Sequence, residues 1–386
     1  MYRVTGKLVT EALREKERLR SKLESILEPR EAEEARRDHH ARRRPIACGM
    51  TIHTGIGCSY GCLYCYVPDM GFPMKPKPYP LTGLQLVYAL ASNPYFVPGS
   101  YGTLLAFGSV TEPFLPETVG KALEYLRETS RWLGNPQQIS TKSVLEDNLL
   151  KEFLDAAEER ISVLISISTL RLANKLEPAA PNPAERFGFM RRLSEALRHV
   201  SLFLRPIIPG VTDRELDDIL KAAAEAGAKA VIPGSLRVTP GILRRLKASR
   251  IVPVDELLRR LPRSPRGPRD QVPLKMSDLK QLVARRAKRY GLHVLPSSCA
   301  ANIEAHGLGC HACRWGPCGS KEALPRLDEE GARDALEALG CRPVKLRIRG
   351  WLLEAHARCR RREAAVAEAI LESLARRRVL LRPPHA

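Results

Sequence analysis

The sequence predicts an α/β fold, a closed or three-quarter barrel of alternating strands and helices, and three observations lead to this prediction. From residue 45 onward, apolar segments of strand length alternate with segments of helical periodicity. Polar side chains follow most of the predicted strands. A glycine-rich loop with three cysteines follows the first strand. Because parallel barrels carry their chemistry at the carboxyl ends of the strands, the three observations describe one architecture.

Before this repeat, the chain has the pattern of one long charged helix. Leucines recur at helical spacing between glutamates and arginines from residue 6 to residue 40. A basic linker follows at residues 36–44, and it either contacts a phosphate backbone or is a flexible arm without a partner. We therefore expect residues 1–44 to form an N-terminal helical arm.

The barrel is predicted over residues 45–243. Its strands are expected at residues 46–54, 103–108, 138–141, 162–168, 201–208 and 230–233. Its helices are expected at residues 117–129, 145–157, 184–199 and 213–226. A proline-rich excursion at residues 68–80 cannot be the interior of a helix. Units of this length imply parallel strands joined by right-handed crossovers.

Beyond residue 243 the composition shifts towards arginine and proline. Residues 244–270 predict an exposed basic loop, and residues 276–290 predict a basic helix. A surface of this charge is typical either of a site that follows phosphates or of an ordinary solvated face. Residues 244–320 also hold a second group of cysteines, and residues 321–386 are predicted to be a basic helical C-terminal region.

Length and composition limit the class of protein. A chain of 386 residues with 44% hydrophobic content can bury a large core. The sequence has no apolar run long enough to span a membrane and no apolar signal-peptide core at its start, so we expect a cytoplasmic protein. The net charge of +20 favours a polyanion such as DNA or RNA as partner. An arginine-rich, thermophilic proteome is the other explanation of this charge.

The first cysteine loop holds Cys58, Cys62 and Cys65 at CxxxCxxC spacing. The neighbouring glycines allow the tight turns that bring three thiolates together. Three ligands do not complete a structural zinc shell, but they suit a [4Fe–4S] cluster that keeps one iron open. A zinc loop or three buried thiols are the other interpretations.

Four later cysteines form a C-x10-C-x2-C-x4-C array, made of Cys299, Cys310, Cys313 and Cys318. Four thiolates either complete a tetrahedral zinc shell or hold a second iron–sulfur cluster. Unliganded or disulfide-paired cysteines are the remaining interpretation, and His306 and His311 are possible substitutes for one cysteine. The other three cysteines lack metal-type spacing and are expected to be ordinary thiols: Cys48, Cys341 and Cys359.

The CxxxCxxC motif, with the aromatic Tyr64 directly before its last cysteine, resembles the signature of the radical S-adenosylmethionine (SAM) superfamily. The resemblance implies a partial (β/α)6 TIM-like barrel, a [4Fe–4S] cluster on three cysteines, and SAM on the open iron. It implies reductive cleavage of SAM to methionine and a 5′-deoxyadenosyl radical, with ferredoxin or flavodoxin as electron donor. Because members often carry an auxiliary cluster, we favour a second [4Fe–4S] cluster over zinc at the later array.

Several segments resemble a narrower group, the spore photoproduct lyase-like (DNA repair photolyase-like) radical SAM proteins. The matching segments are residues 58–68, 111–116, 140–143, 166–169, 176–178 and 205–210. The resemblance implies SAM contacts from five side chains: Thr111 and Glu112 at the amino group, Lys142 at the carboxylate, Ser166 or Ser168 at the ribose, and Tyr64 at the adenine. A cationic lysine suits a carboxylate, and an anionic glutamate suits an ammonium group.

The chain departs from this narrower group at one point. Members place a cysteine hydrogen donor just before the acidic strand-end motif, whereas this sequence has Gly108 and Ser109 there. A serine O–H bond is too strong to quench a carbon radical readily. The departure argues against the lyase reaction itself and leaves another hydrogen donor or another outcome open.

Charge and resemblance together predict a nucleic acid substrate, either a DNA lesion under repair or an RNA under modification. A stacking side chain such as Tyr66, Phe72 or Tyr79 is expected to hold a base that has left its helix. A small molecule or a peptide is the alternative substrate. A non-catalytic, metal-containing nucleic-acid-binding protein is the alternative from another functional class.

Overall fold

The computed structural model of the protein describes residues 2–46 and 49–384. Its α-helices are α1 (Gly6–Glu24), α2 (Pro29–Arg37), α3 (Gly83–Ser92), α4 (Val119–Leu133), α5 (Asp147–Ala156), α6 (Ala173–Leu176), α7 (Pro183–Ala196), α8 (Leu216–Glu225), α9 (Pro240–Ser249), α10 (Val254–Arg259), α11 (Ser277–Ala287), α12 (Ser298–Ala305), α13 (Glu329–Ala338) and α14 (Arg361–Ala375). Short 3-10 turns cover His39–Ala41, Pro68–Met70, Thr212–Arg214 and Lys288–Tyr290.

The strands are β1 (Met50–Ile52), β2 (Gly55–Ile56), β3 (Lys77–Pro78), β4 (Leu105–Phe107), β5 (Gln137–Thr141), β6 (Ser162–Ser166), β7 (Val200–Ile207), β8 (Ala230–Ser235), β9 (Arg237–Val238), β10 (Val272–Pro273), β11 (His293–Val294), β12 (Gly309–Cys310), β13 (Cys318–Gly319), β14 (Arg342–Arg349), β15 (Leu352–Arg358) and β16 (Arg378–Arg382).

Seven of these strands form one central parallel sheet in the order β1-β4-β5-β6-β7-β8-β11. Their order in space follows their order in the chain, and helices connect most of them, so the sheet is the partial α/β barrel that the sequence predicts. The six predicted strands are all present, and β11 adds a short seventh. Residues 162–166 of β6 are buried throughout, as expected for a parallel strand covered on both faces.

The first strand is shorter than predicted. It ends at Ile52, and the chain then leaves the sheet so that Gly55 and Ile56 pair antiparallel with Pro78 and Lys77. This small ribbon ties the proline-rich excursion back to the start of the cysteine loop. The loop therefore begins from two anchored points, the central sheet and the ribbon.

The N-terminal arm is not one helix, and that prediction was wrong. The helices α1 and α2 are separated by residues 25–28, and Pro29 opens α2 at a position where its missing N–H costs nothing. Glu28 and Glu31 form a reciprocal capping box at the same helix end. A proline at this point therefore divides an otherwise continuous helical pattern.

Two predictions for the C-terminal half also needed correction. Residues 244–270 are not one exposed loop, since α9 and α10 occupy much of this range and bury Leu246 and Leu257. The tail is not wholly helical either, because β14, β15 and β16 form a three-stranded sheet against α14. Leu346 and Leu353 face that helix while Arg and Lys fill the outer positions, so an alternating strand pattern was hidden by its charge.

The expectation of ordinary thiols was wrong for two cysteines, because Cys341 and Cys359 form a disulfide. They flank the first ladder pair of the β14–β15 hairpin, Arg342 opposite Arg358. Cys48 lies outside the described residues. Among the helices that the structure describes, each is too short or too polar to cross a membrane.

Candidate active site

The three cysteines of the first loop line one cavity of about 350 Å³ at the carboxyl ends of the central strands. The loop needs glycine at two points. Gly57 has φ +91°, and a Cβ there would lie 2.3 Å from the carbonyl oxygen of Pro73. Gly61 has φ +63°. These left-handed residues turn the backbone so that Cys58, Cys62 and Cys65 converge on the same space.

A distant arginine holds the cysteine loop in place. Arg245 of α9 donates to the carbonyl oxygens of Leu63 (3.1 Å) and Cys65 (2.6 Å). The same guanidinium makes two bonds to the carboxylate of Asp69, at 2.8 and 3.0 Å, and Thr239 donates to that carboxylate as well. Arg245 lies in the range that was predicted to be an exposed basic loop, and its role at the cysteine loop was not predicted. No local pattern marks it, because its partners lie about 180 residues away.

Glu112 is buried beside the cysteines, in the segment that follows β4. Its carboxylate accepts from the Thr141 hydroxyl, from the Lys142 N–H at 2.8 Å and from the Phe114 N–H at 3.4 Å. Burial raises the pKa of Glu112, and the hydrogen bonds from Thr141 and Lys142 act in the opposite direction. Thr111 is buried next to it and lines the cavity too.

Lys142 brings the opposite charge to the same cavity. Its ammonium lies 5.7 Å from the centre of the Tyr64 ring. Burial opposes its charge, yet the nearby Glu177 carboxylate and Cys62 outweigh this, and the pKa of Lys142 is raised. The cavity therefore offers one cation and one carboxylate, the pair needed to hold a zwitterionic amino acid group.

The Tyr64 ring is fixed from behind by a buried ion pair. Its hydroxyl donates to Glu177, whose carboxylate is paired with Arg186 at 2.5 Å, and both charged side chains are 1% exposed. Arg186 also donates to the carbonyl oxygen of Ser166 at 2.9 Å. Glu177 lies in one of the segments that resemble the narrower group, but no role was predicted for it or for Arg186.

The two serines proposed for the ribose differ in position. Ser166, the last residue of β6, lines the cavity. Ser168 is fully buried near the Tyr64 hydroxyl and does not line the cavity. The geometry therefore favours Ser166 of the two.

The segment before Thr111 confirms that the backbone has no room for a cysteine at Gly108. This glycine has φ +89°, and a Cβ there would lie 2.3 Å from the carbonyl oxygen of Ser140. Ser109, in contrast, is exposed at the cavity, and its carbonyl oxygen accepts from the Tyr66 hydroxyl at 2.7 Å. Of these two positions, only 109 can present a side chain to the cavity.

The three aromatic residues proposed to stack on a base do not share one environment. Tyr66 lines the cavity, whereas Phe72 does not. Tyr79 is buried, and its hydroxyl is bonded to Asp38 and His39 on the other side of the ribbon. The prediction was therefore wrong for Tyr79, whose ring is held by the N-terminal arm.

Two arginines line the open side of the cavity, and a lysine lies close to them. Arg205 and Arg237 line the cavity, and Lys280 of α11 lies near Arg205. Burial and the Arg237 charge lower the pKa of Arg205, and burial and the Arg205 charge lower the pKa of Lys280. Within the described part of the chain, no carboxylate forms an ion pair with any of the three. We call Arg205, Arg237 and Lys280 the cationic rim.

The second cysteine array lies behind the cavity. Cys299 lies in α12, and the first residue of this helix, Ser298, lines the cavity. One turn later, the Asn302 side chain donates to the carbonyl oxygens of Leu105 and Pro136, at the amino ends of β4 and β5. Cys310 and Cys318 face each other across the β12–β13 ladder. Cys299, Cys310 and Cys318 pack on an apolar group of Leu104, Ile303 and Leu308. Burial raises the pKa of Cys318, and the neighbouring Cys310, Cys299 and Cys313 act in the same direction, so the fourth thiol lies near the other three.

The proposed histidine substitutes lie elsewhere in this region. The ring of His306 is bonded to Glu158 at 2.7 Å and to the carbonyl oxygen of Asn302 at 2.8 Å, so both of its nitrogens are engaged. The backbone N–H of His311 bonds to Arg376 next to α14. The four cysteines therefore form this array without His306.

Comparisons with known proteins identify the class of this fold and site. The family model of the radical SAM superfamily matches residues 52–223. An uncharacterized protein of Acidianus two-tailed virus is 26% identical over 206 residues, which cover 49% of this chain and 67% of the viral protein.

Two solved structures with similar folds are variants of spore photoproduct lyase. One is a double mutant with bound AdoMet and dinucleoside spore photoproduct, with TM-score 0.51 and 16% identity, covering 64% of this chain and 76% of that one. The other is a single mutant, with TM-score 0.50 and 15% identity, covering 63% and 75%.

The chain thus carries a radical SAM domain at residues 52–223, and this domain indicates an enzyme. The superfamily uses SAM and a [4Fe–4S] cluster. The residues present fit that pair of groups, because three convergent thiols, a buried carboxylate and a lysine ammonium line one cavity.

Proposed function

We propose that this radical SAM enzyme acts on a nucleic acid, with SAM held in the cavity by the side chains around the cysteine loop. Cys58, Cys62 and Cys65 would hold the [4Fe–4S] cluster. When bound, the cluster and SAM together supply a 5′-deoxyadenosyl radical, once an electron donor such as ferredoxin or flavodoxin has provided an electron. The protein's own share is to bind, to orient and to exclude water.

The opposite charges in the cavity set the orientation of SAM in this proposal. Glu112, with Thr111 beside it, would bind the amino group, and Lys142 would bind the carboxylate. Ser166 would contact the ribose, and Tyr64 would lie against the adenine. The Glu177–Arg186 pair fixes the Tyr64 ring, so this surface is rigid before SAM binds.

The cationic rim is the observation that supports a nucleic acid substrate. The Arg237 charge helps to lower the pKa of Arg205, and the Arg205 charge helps to lower the pKa of Lys280, so holding these cations together without an anion is costly. Phosphodiester oxygens would relieve that repulsion, and arginine binds them in a planar, bidentate manner. The rim lies at the mouth of the cavity where the radical would form, so a phosphate bound there would place its nucleotide next to the reaction.

Two further facts support the same substrate class. The net charge is +20, and a protein that neutralises several phosphates needs such an excess. The spore photoproduct lyase structure with a similar fold has a dinucleoside spore photoproduct bound. The lyase reaction itself is not part of our proposal, because this chain has Gly108 and Ser109 where the lyases are expected to carry their cysteine.

Binding of DNA and tRNA at different salt concentrations tests the substrate class. We expect affinity to fall steeply between about 50 and about 200 mM salt, because each phosphate contact releases counterions. Arg205→Gln and Arg237→Gln should each weaken binding and reduce the salt slope by about 0.9 for duplex DNA. Arg191→Gln, on the outer helix α7, removes the same charge away from the cavity and should leave the slope unchanged.

Weak binding with a flat salt response, or equal effects of all three substitutions, would contradict the nucleic acid proposal. A small molecule or peptide substrate would then be favoured. Formation of 5′-deoxyadenosine and methionine by the anaerobic, dithionite-reduced enzyme is a separate measurement, so the reaction class and the substrate class can fail independently.

We also propose that Cys299, Cys310, Cys313 and Cys318 hold a second metal group, an iron–sulfur cluster in preference to zinc. The support is that three thiols, from α12 and the β12–β13 ribbon, meet on one apolar surface, while the fourth, Cys313, lies in the turn between the two strands of the ribbon. Iron and sulfide analysis of the reconstituted protein decides between the two metals. About eight irons per chain would indicate two cubes, and about four irons with one zinc would indicate a structural zinc site.

A further inference from the structure

A group of histidines lies outside the cavity, where the N-terminal arm meets the end of β1. Asp38, His39 and His40 follow α2 directly, and candidate ligand atoms of these three residues all lie within 4.8 Å of one another. Among the described residues, no other three histidine, cysteine or acidic side chains have ligand atoms this close together. His53 follows β1, and its ring centre lies 5.0 Å from that of His39 and 5.7 Å from that of His40.

The contacts inside this group are short. The Asp38 carboxylate lies 2.7 Å from Nδ1 of His40 and 3.4 Å from Nδ1 of His39. The Tyr79 hydroxyl donates to Asp38 at 2.6 Å and lies 2.9 Å from Nδ1 of His39. The His40 side chain is fully buried, and Asp38 is 12% exposed. One carboxylate, three imidazoles and one phenol thus share a partly buried space, in which the His39 side chain is 38% exposed.

Two buried nitrogens of the group have no hydrogen-bond partner among the described residues. They are Nε2 of His39 and Nδ1 of His53. A buried polar atom without a partner costs about 1–3 kcal/mol, so two of them in one small group need a cause. An ion bound by His39 and His53 supplies one, because these two nitrogens have no other partner in the described part of the chain. His40 would join them by exchanging one contact, since its Nδ1 is bonded to Asp38 and its Nε2 accepts from the His53 N–H at 3.4 Å.

We infer that Asp38, His39, His40 and His53 bind one divalent transition metal ion, with zinc as the best match. Imidazole nitrogens and a carboxylate oxygen are ligands that Zn²⁺ takes in a four-coordinate shell. The Tyr79 hydroxyl, bonded to Asp38, orients that carboxylate from behind, as a partner of a metal ligand commonly does. Nothing in this inference depends on the substrate or on SAM.

The position of the site gives the ion a structural role. Asp38, His39 and His40 belong to the N-terminal arm, His53 to the end of β1, and Tyr79 to the return of the proline-rich excursion. His53 precedes Cys58 by five residues. A metal ion would therefore fasten three separate segments together at the point where the cysteine loop begins.

Cobalt titration of the reconstituted enzyme tests the inference. The protein is first loaded with iron and sulfide, freed of loosely bound metal with a mild chelator, and titrated with Co²⁺. We expect one equivalent to bind with weak visible d–d bands and without intense sulfur-to-cobalt charge transfer, since no thiolate is a ligand. Zn²⁺ should displace it and should raise the Tm of the enzyme.

Substitutions assign the site. Asp38→Asn keeps the oxygen that accepts the His40 N–H but loses the charge, and His53→Gln keeps a polar side chain; each should lower Co²⁺ affinity by about 10- to 100-fold or more. His293→Gln, an exposed histidine bonded to Glu304, is the matched control and should bind as the wild type does. A wild-type protein that binds no Co²⁺ outside thiolate sites would overturn the inference, as would unchanged binding in both variants.

Discussion

The two cysteine sites of this protein lie on the same sheet but are built in different ways. The first uses three thiols on one short loop, opens into a cavity of about 350 Å³ and is surrounded by charged groups. The second uses four thiols spread over 20 residues and packs on Leu104, Ile303 and Leu308. One site has space and polarity next to its thiols, whereas the other has an apolar wall.

This difference indicates what each site can do. A ligand set that is one short, facing a cavity with a carboxylate and an ammonium, can bind a further molecule on the metal. A complete set of four thiolates against an apolar surface has no free position and stabilises the segments that carry it.

Loss of a ligand at the open site should abolish the reaction. Cys62→Ala leaves two thiols for the cluster, so we expect 5′-deoxyadenosine formation to fall to background in the reduced, reconstituted enzyme. Cys313→Ala at the closed site is the matched control and should retain SAM cleavage. If Cys62→Ala still cleaves SAM at a comparable rate, the first loop is not the cluster site.

The closed site should lose its metal without affecting the open one. In the Cys310→Ala/Cys313→Ala double variant, we expect loss of one full metal group, four irons or one zinc, because two thiolates cannot hold either. The absorbance near 400 nm from the first cluster should remain. Unchanged metal content would place these cysteines among structural thiols.

The buried Glu177–Arg186 ion pair behind Tyr64 should contribute more to the free energy of unfolding than a surface ion pair does. Glu177→Gln leaves the buried Arg186 without a counter-charge, and breaking such a pair costs about 3–5 kcal/mol. Denaturant unfolding measures this change. Asp147→Asn, which breaks the exposed pair with Arg192, should cost no more than about 1 kcal/mol. Equal effects of the two changes would contradict the buried role of Glu177.

The smallest effect concerns the C-terminal sheet next to the closed site. The disulfide between Cys341 and Cys359 joins residues 18 apart and should stabilise the chain by about 3 kcal/mol, since it restricts the unfolded state. The Cys341→Ser/Cys359→Ser variant should unfold at a lower denaturant concentration than the oxidised wild type. Under reducing conditions the two proteins should unfold alike; a persistent difference would point to packing instead.

The cysteine loop, most strands of the sheet and the polar residues at the strand ends could be predicted from local spacing in the sequence. CxxxCxxC spacing with flanking glycines placed three ligands on one loop, and the alternation of strands and helices gave six of the seven strands of the sheet. The polar residues at strand ends, such as Glu112 and Lys142, were found because the carboxyl ends of parallel strands meet at one edge. Each of these inferences uses residues close together in the chain or a rule of topology.

The contacts between segments far apart in the chain became visible only in the tertiary structure. Arg245 bonds to a loop about 180 residues away, Tyr79 turns to Asp38 instead of the cavity, and Cys341 pairs with Cys359. The charged pattern of β14 also concealed a strand, because its exposed positions are filled by Arg and Lys. Which groups meet across such distances depends on how the elements pack, and a single sequence carries no periodic signal for that.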